Sequence, residues 1–318
     1  MNKCLPCNNL KPYLKKLLSN FLVYFPVKIN QEIFFTSDKN LLDKFYPGLP
    51  QIPPKNFFLP HNENILYDNK VPKPLTTKSS GHPTIIFAIH PLDIHALTIL
   101  DKIFLKKYSD FYYNQRRKNV YIVGLGPYTF DTDFNCDLFL EENGDTYEVI
   151  LKNKKADFLL DYDHIFTKSI FDFDTKEHTH KKEPLFNDPN KIAQAIKSSY
   201  HSSIWDDLAQ IELGCGICNY SCPLHYSYKI EDNFCFNKPH TTCRTRTWTN
   251  NFQSDLPMRD KIYNWYYDKF VKFYELTGHI GCIDCGRCIK YCPAKINFKH
   301  VLKTILNDYD KSLSTQKK

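Results

Sequence analysis

Four cysteines within eleven residues constrain this chain more than any other feature: Cys282-x2-Cys285-x2-Cys288-x3-Cys292, closed by Pro293. A run this dense in thiols, ending in proline, forms a loop wrapped around something that takes sulfur ligands. Gly281 and Gly286 supply the backbone freedom to do so. A second run lies upstream at nearly the same spacing, Glu212-x2-Cys215-x2-Cys218-x3-Cys222-Pro223, with glutamate at its first position. Nine of the twelve cysteines fall between Cys215 and Cys292, so they act as a group. The N-terminal residues do not read as a basic, apolar and small leader, so a cytoplasmic, reducing compartment is expected. There, clustered cysteines are metal or redox ligands rather than disulfides.

The spacing of the downstream run is the bacterial one for a [4Fe-4S] cluster, in which the cysteine before proline serves the other cluster of a pair. A zinc site is the competing assignment, but zinc usually takes separated Cys-x2-Cys knuckles. Two runs therefore predict two clusters with crossed ligands. Cluster 1 takes Cys215, Cys218 and Cys292, with Glu212 at the fourth corner. Cluster 2 takes Cys282, Cys285, Cys288 and Cys222. A carboxylate is a harder ligand than a thiolate. Three arrangements stay open for cluster 1: Glu212 on the fourth iron, a [3Fe-4S] cluster lacking that iron, or a substitute thiolate from Cys235 or Cys243. The expected cofactors are two iron–sulfur clusters, one [4Fe-4S] and one either [4Fe-4S] with a non-cysteine ligand or [3Fe-4S].

The rest of the chain is patterned as an α+β protein. Leu10, Leu14, Leu17, Leu18, Phe21 and Leu22 predict one amphipathic helix over 10–24. Five prolines mark 47–60 as an extended connector. Thr84–Ile89 is a continuous apolar run, as in a strand buried on both faces. Asp93 is placed to cap a helix over 94–104, and Val120–Gly124 reads as the next strand, which makes a βαβ unit. Thr146–Leu151 and Phe158–Leu160 read as further strands. From about residue 190 the apolar spacing is helical, with helices expected over Met258–Leu276 and Phe298–Leu306. The expected division is an α/β domain over 1–190 and a mostly α-helical, ferredoxin-like two-cluster domain over 191–318.

Charge and the remaining motifs exclude more than they assign. Residues 131–188 hold fifteen Asp/Glu against seven Lys, a local −8 within a chain of net +7, and such asymmetry suits docking to charged protein partners. The 36 lysines are scattered and no base-reading motif accompanies them, so no nucleic-acid partner is expected. No apolar run approaches the ~18 residues of a membrane helix, so no membrane insertion is expected. Gly124-x-Gly126 is too short for a dinucleotide fingerprint. No nucleophile accompanies His90, Asp93 and His95, and the sequence predicts no catalytic residue. His178 and His180 read as solvated loop residues, Cys4-x2-Cys7 as an incidental knuckle and Cys136 as an inert thiol. Between the runs, Trp248, Trp265, Tyr266 and Tyr267 predict a helical insertion that lines a partner interface, while Arg244, Arg246 and Arg259 either compensate the negative charge of the clusters or meet a partner's acidic face.

The segment Ser203–Leu306 resembles the two-cluster domain in the beta subunit of sulfhydrogenases and in an iron–sulfur subunit of anaerobic sulfite reductase. The matching residues are Trp205-Asp-Asp-Leu208, Gly214-Cys-Gly-Ile-Cys218, Cys222-Pro223, Arg244-Thr-Arg-Thr-Trp248 and Gly281-Cys-Ile-Asp-Cys-Gly-Arg-Cys288. Upstream, Ile86–Leu97, Asp110–Arg117 and Val120–Gly124 follow in the family's order. This chain departs from the family at Glu212, at His225 and Ser227, and at His90-Pro91-Leu92-Asp93, where the family carries cysteines. The resemblance implies an electron-transfer subunit lying between a flavoprotein that handles a nicotinamide and a catalytic subunit of hydrogenase or sulfite/sulfur reductase type. The alternative is a cluster-based assembly or redox-sensing protein.

Overall fold

The structure, a computed structural model, describes residues 3–67, 83–107, 109–127, 135–162, 164–169, 184–234, 242–249, 252 and 254–316. Contacts divide the chain into two compact units, one of residues 1–180 with 232–245 and one of residues 181–231 with 246–318.

The first unit is built on strands β1 (Lys3–Pro6), β2 (Leu22–Ile29), β3 (Glu32–Thr36), β5 (Thr84–Ile89), β6 (Val120–Gly126), β7 (Leu138–Asn143), β8 (Thr146–Leu151) and β9 (Thr167–Lys168), with β4 (Asn62–Tyr67) in a smaller sheet. They form one sheet in the order β3-β2-β5-β6-β7-β8-β1-β9. Its centre, β2 to β7, is parallel, with Thr84 opposite Val120 and Ile86 opposite Ile122. Every residue of β5 is buried, as its unbroken apolar sequence requires. Helix α2 (Pro91–Asp101) and helix α3 (Phe111–Lys118) make the crossover to β6. The two helices share a buried polar knot. Arg117 donates to both oxygens of Asp101 at 3.0 and 2.8 Å, and the Tyr113 hydroxyl donates to the same carboxylate at 2.6 Å. The Asp110–Arg117 segment is thus a structural lock, a buried ion pair whose hydrogen bonds offset its desolvation.

Two expectations fail locally. Helix α1 (Leu10–Asn20) stops before Phe21, and Phe21–Leu22 lead directly into β2. Leu22-Val-Tyr-Phe25 prefers strand, and the helical stripe continued into it only by coincidence of spacing. Residues Lys154–Leu160 form a 3-10 helix, not a strand, started by Asn153, whose side chain accepts from the Lys155 amide. Its Leu159 carbonyl accepts from the buried Tyr13 hydroxyl at 2.9 Å, so α1 and this turn close over one core.

The second unit packs helices α4 (Pro189–Ser198), α5 (Ile204–Ile211), α7 (Met258–Tyr267), α8 (Phe273–Thr277) and α10 (Phe298–Gln316) around Trp205, which is fully buried. A π-helical turn, Asp268–Lys272, joins α7 to α8. The expected helical insertion also contains strands β10 (Tyr228–Phe234) and β11 (Thr242–Trp248), a departure from the all-helical expectation. The tip of this hairpin belongs to the first unit, where the three-stranded order is β10-β11-β4. Two short helices, α6 (Ile217–Tyr220) and α9 (Arg287–Lys290), follow the two cysteine loops and lie side by side.

Candidate iron–sulfur centre

The two cysteine loops repeat each other in backbone as well as in sequence. Gly214 and Gly216 have φ of 65° and 72°, and the corresponding Asp284 and Gly286 have 56° and 72°. These left-handed positions turn the chain so that successive thiols face inward. Asp is among the few residues that tolerate this conformation, which lets it replace glycine at 284. A Cβ on Gly286 would meet nothing, so conformation rather than space demands glycine there. Gly281 is different: a Cβ would lie 2.8 Å from the Lys269 carbonyl oxygen, to which the Gly281 amide donates at 2.7 Å. The second loop is thereby fastened to the π turn.

The loops enclose two chambers. The first is lined by Glu212, Cys215, Cys218 and Cys292, with Leu208, Phe252, Ile262, Trp265, Tyr266 and Phe298 as its apolar walls. The second is lined by Cys222, Cys282, Cys285 and Cys288, with Pro223, Leu224, Trp265, Lys269 and Phe298. Each chamber thus gathers three positions of one run and the last cysteine of the other. Cys288, Trp265 and Phe298 border both. None of the ten described cysteines with placed side chains is in a disulfide. Cys215 is exposed and Cys222 is buried.

N–H donors reach the sulfurs, while burial disfavours a bare thiolate. The Asp284 amide donates to Cys282 Sγ at 3.4 Å and the Ile296 amide to Cys292 Sγ at 3.3 Å. Lys269 Nζ donates to Cys222 Sγ at 2.9 Å. Without metal, burial pushes the Cys218 thiol up to about 12, and the Glu212 carboxylate adds to the rise. Burial likewise pushes Cys288 up to about 12 and raises Cys282, against the lowering influence of Lys269. Metal binding at such thiols must release protons and provide the positive charge that water no longer supplies.

Two buried polar atoms point the same way. Trp265 Nε1 and the Tyr266 hydroxyl have no hydrogen-bond partner among the described residues, and both side chains wall the first chamber. Buried donors are normally satisfied. The bridging sulfides of a cluster accept hydrogen bonds, so these two donors and the thiol-lined chambers fit an iron–sulfur group. No three His, Cys, Asp or Glu side chains among the described residues converge as ligands of one ion would. In a cubane each thiolate meets a different iron, and its ligands stand correspondingly apart.

Glu212 caps the end of α5, and its Oε1 accepts from the Gly214 amide at 2.9 Å while the side chain lines the first chamber. Of the other candidates, Cys235, His178 and His180 lie outside the described residues, and Cys243 is placed only by its backbone on β11. Cys4 and Cys7 are in the first unit, Cys4 buried with its Sγ 3.1 Å from Thr167 Oγ1. Burial pushes the Cys136 thiol up to about 12. Sequence reasoning assigned Trp265 and Tyr266 to a partner-facing surface, and they are instead chamber walls. Trp248 is buried too, and Arg246 stacks over the Tyr228 ring. Lys269 was missed altogether.

Residues 212–296 match a 4Fe-4S dicluster domain. The matched segment begins at Glu212 and closes just beyond Cys292, so it spans both chambers. Over nearly its whole length the chain is also similar to sulfhydrogenase 2 subunit beta of Pyrococcus furiosus, at 29% identity over 316 residues, covering 89% of this chain and 92% of the relative. No solved structure matches the chain. Among the described residues no helix is long and apolar enough to cross a membrane.

Proposed function

We propose that the chain is an iron–sulfur relay subunit, passing electrons between a flavoprotein that handles a nicotinamide and a catalytic subunit of hydrogenase or sulfite/sulfur reductase type. The observation that carries this is the pair of adjoining chambers with crossed cysteines, sharing Cys288 and Trp265 as a common wall. The relative named as a sulfhydrogenase subunit supports a place within a complex. When bound, the clusters supply one-electron storage at a potential set by ligands and surroundings. The chain's own residues do the rest. Cys215, Cys218 and Cys292 would hold cluster 1 with Glu212 lining the same chamber, and Cys222, Cys282, Cys285 and Cys288 would hold cluster 2. Leu208, Phe252, Ile262 and Phe298 line the first chamber with apolar side chains that shield the sulfurs from water.

The test is chemical analysis of anaerobically purified protein together with whatever accompanies it. About seven or eight irons per chain, with matching sulfide, are expected, for a three-iron plus a four-iron cluster or for two cubes. Flavin-bearing and catalytic subunits should co-purify. Stoichiometric zinc without sulfide would remove the iron–sulfur assignment. A sensor rather than a relay is favoured by one observation, the exposure of Cys215 beside a non-cysteine corner. Full cluster content in a chain that purifies alone would decide for it.

A further inference from the structure

Lys269 is half-buried, and an ammonium withdrawn from water is costly unless anions or acceptors surround it. Its Nζ donates to Cys222 Sγ at 2.9 Å and to the Gly281 carbonyl at 3.1 Å, and it lies 5.0 Å from the centre of the Trp265 ring. Cys222 and Gly281 belong to opposite loops of the second chamber. The side chain therefore bridges the one ligand that comes from the upstream run to the backbone that starts the downstream run. It is carried there by the π turn, an irregularity that proteins often keep at functional sites. Lys269 lines the second chamber together with Cys222, Cys282 and Cys288. The first chamber has the opposite decoration, a carboxylate from Glu212 and the neutral hydroxyl of Tyr266.

On the relay assignment above, we infer that Lys269 is a positioning and potential-setting residue for cluster 2, and that it makes cluster 2 the higher-potential member of the pair. Adding an electron makes a cluster more negative. A fixed cation with its N–H on a ligand sulfur, in a site of low dielectric, stabilises that state and raises the potential. Among the described residues no ammonium or guanidinium lines the first chamber, so cluster 1 gains no such stabilisation. Electrons then collect on cluster 2, and cluster 1 is the member from which they are passed downhill.

The experiment is a redox titration of the full-length, anaerobically loaded protein, followed by electron paramagnetic resonance. Wild type is compared with Lys269→Met, Lys269→Gln and Lys269→Arg. Two midpoint potentials are expected in wild type, the higher belonging to the signal that Cys222→Ser perturbs. Lys269→Met and Lys269→Gln should move that potential down and the other one less, whereas Lys269→Arg should restore it. If only the Arg variant loads cluster 2, the charge is what the site needs, which supports the assignment. Unchanged potentials in Gln and Met variants that do load overturn it. So does failure of all three variants to load, which is how a purely structural strut would behave, and so does a larger shift of the signal that Cys292→Ser perturbs. If wild type itself lacks two clusters, the relay assignment falls first. If it holds both and the variants leave them alone, only the role of Lys269 falls.

Discussion

Glu212 stands where the downstream run has Cys282, and the two positions differ in what they can do for iron. The carboxylate faces Cys215, Cys218 and Cys292 across one chamber and already spends one oxygen on the Gly214 amide. A hard oxygen donor holds a cluster iron less firmly than thiolate and leaves the cluster open to losing it. Glu212→Cys is therefore expected to give a second conventional [4Fe-4S] signal, iron content near eight per chain, and a changed midpoint potential for cluster 1 only. Iron analysis and low-temperature spectra check this, and identical wild-type and variant spectra would take Glu212 out of the site. At this scale the cysteines were legible from sequence because their spacing is local: three ligands within seven residues need no knowledge of the fold. Lys269 was not legible. It is one of 36 lysines, and its meaning depends on packing that brings residues 222, 269 and 281 together.

At the scale of elements, each loop and the short helix after it make one half of a repeat, and each half ends by sending its last cysteine away. Cys222 follows α6 and enters the chamber of the downstream loop, while Cys292 follows α9 and enters that of the upstream loop. Cys222→Ser should then damage the cluster of Cys282, Cys285 and Cys288, and Cys292→Ser the other. Spectra in which each substitution acts on its own local run would refute the crossing. The βαβ unit was readable from β5 and β6, continuous apolar runs joined by a helix, but His90, not Asp93, caps α2 by accepting from the Leu92 amide, and Asp93 lies inside its first turn. Where periodicity misled, a neighbouring element decided. The stripe of α1 ran on into residues that β2 claims, and Phe158–Leu160 pack as a turn because Tyr13 takes the Leu159 carbonyl. The aromatics between the runs gave no sign of which way they face. Composition marks them as sticky, and only the fold turns Trp248, Trp265 and Tyr266 inward.

For the whole molecule, the two compact units depend on different things. The first has an eight-stranded sheet and a continuous apolar core of its own. The second packs around Trp205, Phe270 and Leu302, yet the same aromatic core borders both chambers. Removing iron leaves thiols among apolar walls, an unsatisfied indole and hydroxyl, and a half-buried ammonium with fewer anions. Anaerobic chelation is accordingly expected to lower or abolish the thermal transition of the second unit and to spare that of the first. Calorimetry with and without reconstitution distinguishes the two, and a single transition indifferent to iron would contradict it.

The crossing of Cys222 and Cys292 also fixes an order of events during synthesis. A growing chain folds from its N-terminus. When the upstream loop has been made, it has three of its four donors and no partner for them. The seven cysteines and Glu212 become two complete ligand sets only when Cys292, the last of them, has been translated. On the crossed assignment the set for cluster 2 closes at Cys288 and the set for cluster 1 only at Cys292, so both wait for the downstream run, and a ribosome that stops before Cys288 leaves neither.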